Sequence, residues 1–166
     1  MAIVNNVLFP LTLVAALGCG LMAGVFFAFS SFVMKALARL PAAEGIVAMQ
    51  SINIAVINPL FLAAFLGTAA ACVLVILSAL LRWHEPGVVF LLIGGGLYLV
   101  GTFLVTMVYN VPKNDALAAV APASPDSASL WASYLTSWTV WNHMRAAAAL
   151  AAAASLSIAL RYGVAQ

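Results

Sequence analysis

Residues 131–145, WASYLTSWTVWNHMR, gather most of the side chains in this chain that could do chemistry. Read as a helix, Trp131, Trp138 and Arg145 recur every seven positions, with Tyr134 and Asn142 between them, so all five share one stripe. His143 stands about 100° round from Asn142. An imidazole is a proton acceptor near neutral pH. A guanidinium and an amide are donors for a developing oxyanion. Aromatic rings pack a flat ligand.

Each of these side chains also has a plainer use. Arg145 can snorkel to a polar surface. However, the apolar segments hold no acid, and Glu44, Asp115 and Asp126 all fall in connections. Arg145 is therefore expected to meet a loop acid, a wet cavity or an anionic ligand. His143 can hydrogen-bond a neighbouring helix or act as a base. Trp138 and Trp141 can be interfacial belt residues or the walls of a substrate site. Asn110 and Asn114 flank Pro112, where they end a helix or orient a substrate oxygen. No metal site is expected, because no second His, Cys or carboxylate joins His143. No cofactor is expected either, with one axial haem ligand at His143 as the alternative.

The elements that position these residues follow from composition. The 166 residues are 66% hydrophobic and 6% charged, with mean hydropathy +1.17. A soluble domain carries about a quarter charged residues. Ten charges cannot cover a water-facing surface, so the chain is expected to be a multi-pass integral membrane protein, in a bacterial inner membrane. A net charge of +2 without a basic patch argues against nucleic acid. Cys19 and Cys72 have no paired spacing that would mark a disulfide framework or zinc site.

Crossing the hydrocarbon core takes about 20 apolar residues. Four segments qualify, at about 7–33, 59–81, 87–109 and 138–160. Backbone groups in lipid must be satisfied internally. The fold class is therefore all-α, a four-helix transmembrane bundle in one domain spanning 1–166. The last helix is expected to start near Ser127, so its first turns project beyond the bilayer. Small residues at 16, 20, 24 and 28 fall at every fourth position of the first span and suit close packing inside the bundle. Four spans put the first and third connections on one side of the membrane. Ser30, Asn53, Asn110, Asn114, Asn142, His143 and Arg145 then gather at one face, with His143 and Arg145 opening into a shared hollow.

The strings NVPKN (110–114) and WASYLTSWTVWNHMR (131–145), preceded by GVFFAFSSFVMKAL (24–37) and MQSIN (49–53), resemble the small four-helix membrane family named after anthrone oxygenases. The resemblance covers almost the whole chain, in order. It implies oxidation of anthrones to anthraquinones by O₂. In that chemistry His143 would take the acidic proton, and Arg145 with Asn142 or Asn110 would stabilise the enolate. Ser30, Asn53, Asn110, Asn114, Trp138 and Trp141 would bind the substrate. The expected partners are a small aromatic molecule and the lipid bilayer, with a homo-oligomer or partner membrane protein as further options. The rival readings are a small membrane subunit or scaffold, and a carrier of lipid or small molecules.

Overall fold

The computed structural model describes residues 2–164, with side chains from 7 to 162. Every regular element among them is helical. Four rods are long and apolar enough to cross a membrane: Val7–Leu37, Pro59–Leu80, Val88–Ala118 and Ser127–Tyr162. The chain is thus a multi-pass membrane protein by helix length and composition.

Helix α1 is α-helical over Ala2–Ala28, takes a π-helical turn at Phe29–Val33, and resumes over Met34–Leu37. A shorter helix α2, Ala42–Ala55, occupies the first connection. Helix α3 is Pro59–Leu80. Its start is fixed by Asn58, whose side chain accepts from the Phe61 amide at 3.0 Å, and by Pro59 in the first turn. Helix α4 starts at Val88–Gly96, is π-helical over Leu97–Leu104 and Thr106–Asn110, and ends as Val111–Ala118. Helix α5 is Ser127–Val164.

The third span differs from expectation. The expected span ends at about residue 109, yet the helix runs on through Pro112 to Ala118. A proline removes one amide donor and crowds the carbonyl one turn back. The π-helical turn Thr106–Asn110 lies just before it, where the bonding pattern is already loosened.

Helices α1 and α5 make the most extensive contact, and α3 and α4 complete the bundle. Two apolar cores result. The larger runs through the membrane segments and includes Cys19, Phe26, Val75, Tyr98, Ala149 and Leu156. The smaller lies under α2 and includes Met34, Ile46, Leu117, Trp131 and Trp138. Gln50 of α2 donates to the carbonyls of Leu117 and Val120 at 2.9 and 3.1 Å. The first connection therefore touches the third, which the two spans between them return to the same side of the bundle. Small residues set the closest approach: a Cβ at Gly101 would lie 2.5 Å from the Ala148 Cβ. Gly20 and Gly24 behave otherwise, since a Cβ on either would meet nothing within 4 Å. They line an outer groove and do not pack inside the bundle.

Candidate active site

Between the two cores lies a layer of polar side chains. Along α1, Ser30 sits between Phe26 of the larger core and Met34 of the smaller. Along α4, Thr102, Thr106 and Asn110 follow Tyr98 and precede Leu117. Along α5, Asn142 and Arg145 stand between Trp138 and Ala149. Three helices thus place their polar groups at matching heights. Ser30, Thr106 and Asn110 all lie in π-helical turns, which recur at functional sites.

Arg145 is the centre of this layer and is 4% exposed. It donates to Asn142 Oδ1 and, at 3.2 Å, to Thr106 Oγ1. Asn142 is fully buried and donates in turn to Ser30 Oγ and, at 2.6 Å, to the Phe26 carbonyl. The Thr102 hydroxyl donates to the Arg145 carbonyl at 3.2 Å. The guanidinium carbon lies 4.2 Å from the Phe26 ring centre and 5.2 Å from that of Trp138. Among the described residues every polar partner of the Arg145 side chain is neutral. Its Nε and the Asn110 Oδ1 are buried without any partner. A guanidinium in the hydrocarbon region costs about 2.5–3.5 kcal/mol on insertion scales. Two neutral oxygens and two rings are modest compensation for a full charge.

Asn114 Oδ1 accepts from Tyr134 Oη at 2.9 Å and from Trp138 Nε1 at 2.8 Å. Trp131, Tyr134 and Trp138 form a stacked ladder, with ring centres 5.6 and 6.1 Å apart. Asn110 Nδ2 donates to the Trp138 carbonyl at 3.3 Å. Half-buried Asn53 lies against Tyr134. Of the residues expected from sequence, Ser30, Asn110, Asn114, Trp138, Asn142 and Arg145 are therefore brought together, with Asn53 at the margin.

Two residues are not. His143 and Arg145 do not share a hollow, which corrects the expectation from sequence. Two positions on an α-helix are about 200° apart. Arg145 points inward, while His143 is exposed on the outer face of α5. It lines an apolar groove of about 430 Å³ with Gly20, Gly24 and Phe27 of α1. Trp141 is half-buried outside the polar layer and stacks on exposed Tyr109, with ring centres 3.5 Å apart and planes 11° apart. That placement suits an interfacial belt. Phe26, Thr102 and Thr106 join the site without having been singled out from sequence. Hydroxyls and rings are ordinary in apolar spans, so only their register against Arg145 could have marked them.

Among the described residues, no three His, Cys, Asp or Glu side chains gather as a metal-binding set. No curated protein and no solved structure matches the chain. The anthrone oxygenase family profile matches residues 58–155, which takes in Asn110, Asn114, Trp138, Asn142 and Arg145. That match spans more than half of the 166 residues and contains most of the polar layer, so the chain belongs to the anthrone oxygenase family.

Proposed function

We propose that the polar layer is the reaction centre of a membrane-embedded oxygenase acting on a flat phenolic ketone of the anthrone type. The observation that carries this is Arg145: a buried cation with neutral partners and an unused Nε–H. Such a group is a ready receptor for an oxyanion.

An anthrone tautomerises to an enol. Ionisation of that enol leaves an oxygen that Arg145 Nε would hold, while the proton passes to water at the polar membrane face. The enolate carbon opposite that oxygen then gives an electron pair to O₂. A C–O bond forms, and the peroxide anion takes back a proton. Loss of water from the remaining C–H and the O–OH breaks the O–O bond and leaves a second carbonyl. One CH₂ and one O₂ become one C=O and one H₂O, so the step balances with O₂ as the oxidant. Asn110 Oδ1 would accept from a phenolic hydroxyl. The rings over the guanidinium mark where the substrate's own rings would lie, in place of Phe26 or Trp138.

His143 stands outside this centre, so the scheme does not use it as the base. The competing reading is a structural pin. It is favoured by the bonds from Asn142 to α1, from Thr102 of α4 to the Arg145 carbonyl, and from the Arg145 guanidinium to Thr106 of α4. The test is O₂ uptake and quinone formation by the purified protein with an anthrone. One O₂ consumed per quinone, faster than without protein, is expected. A rate equal to the protein-free rate would leave the pin as the better reading.

A further inference from the structure

Two aromatic rings lie over the Arg145 guanidinium, and they are held very differently. The Trp138 ring is tethered. Its Nε1–H donates to Asn114 Oδ1 at 2.8 Å, its ring stacks on Tyr134, and Phe29 packs across it with ring centres 5.9 Å apart. Moving that indole breaks a hydrogen bond and two ring contacts together. The Phe26 ring has no polar atom to tether it, and no ring pair among the described residues includes it. Only its backbone is pinned, through the carbonyl that accepts from Asn142 at 2.6 Å. Yet Phe26 is the closer ring, 4.2 Å from the guanidinium carbon against 5.2 Å for Trp138. Free volume also adjoins it. Ala23, one turn before Phe26, and Ala146, next to Arg145, line the apolar groove at the seam of α1 and α5. Both alanines also pack in the larger core, which holds Phe26. A Cβ on Gly24 in that groove would meet nothing within 4 Å.

We propose that Phe26 is a removable plug: its ring fills the subsite where a flat aromatic anion stacks on Arg145, and Trp138 is the fixed wall of that subsite. The inference rests on the oxyanion reading of Arg145 given above, and it decides which of the two rings gives way. The ligand class follows from the space and the charge. A flat ring takes the place of a phenyl, and a guanidinium stacks readily on such a face. An ionised oxygen conjugated with that ring spreads its charge toward a cation whose polar partners among the described residues are all neutral. Phe26 thereby sets the size of molecule admitted. Binding that needs its ring to leave is weakened by the fraction of molecules in which it has left.

The test is binding of 4-nitrophenol to the purified full chain in detergent, at a pH where the free phenol is largely un-ionised. The visible absorption of the phenolate, above that in protein-free micelles, is the signal. Phe26→Ala leaves a phenyl-sized cavity beside Arg145, and apolar cavities of that size accept aromatic ligands. Its affinity for the phenolate should exceed the parent's by about tenfold or more, since no ring has to be displaced. Phe26→Leu empties less of the space and should give a smaller gain in the same direction, which keeps the test open if the alanine variant does not fold. Adding Arg145→Met to either variant should abolish the gain. No gain in any folded Phe26 variant, or a gain that survives Arg145→Met, would overturn the plug. No oxygen chemistry enters this assay. A gain beside a parent that does not oxidise anthrone would support the plug and count against the oxygenase, whereas turnover without the gain would do the reverse.

Discussion

Asn142 is the residue on which the polar layer turns. Its carbonyl receives Arg145, and its amide reaches Ser30 and the Phe26 backbone. Asn142→Leu keeps the volume and removes both functions. It leaves the guanidinium and a buried carbonyl short of partners, at a cost of about 1–3 kcal/mol. The expected outcome is a lower thermal midpoint in detergent and a lower folded yield. His143→Ala changes an exposed side chain and should stay within about 0.5 kcal/mol of the parent in the same assay. Both residues stand out in the sequence, and the span topology groups them at one membrane face. One step along a helix is about 100° of rotation, however, and that separates a core residue from a lipid-facing one. Stripe membership was the better guide: Trp131, Tyr134, Trp138, Asn142 and Arg145 all point inward as their spacing requires.

At the scale of elements, the spans were legible because lipid demands long apolar helices. What the sequence hid was the π-helical winding of α1 and α4, which has no composition signal. That winding explains why Pro112 does not end α4 and where Ser30, Thr106 and Asn110 come to face α5. Close approach of α4 to α5 is equally necessary, and Gly101 permits it. Gly101→Leu would force the helices apart against Ala148, at a cost of about 1–3 kcal/mol for overpacking. Lower folded yield is expected, together with faster hydrogen exchange across Thr106–Asn110. Unchanged exchange there would mean that α4 is held by other contacts.

For the whole molecule, an even number of spans brings the two longer connections to one membrane face, and Gln50 ties them together. The polar layer and the small core under α2 belong to that face, while Arg82 and Arg161 belong to the other. Single cysteines at Ser51 and Asp126 should be labelled from the same side of sealed vesicles, and one at His84 only from the other side. The native Cys19 and Cys72 are buried and should stay silent. Labelling of Ser51→Cys and Asp126→Cys from opposite sides would break the topology that assembles the site.

The most direct measurement is an anaerobic titration of the purified protein with an anthrone, following the absorption of the ionised enolate at fixed pH. The parent and His143→Ala should both accumulate the enolate. Arg145→Lys keeps the charge but loses the Nε–H and the planar fork. It should accumulate about 100- to 1,000-fold less at equal ligand, the cost of one oxyanion donor. Equal enolate in Arg145→Lys and the parent, or its loss in His143→Ala alone, would contradict an oxyanion site at Arg145.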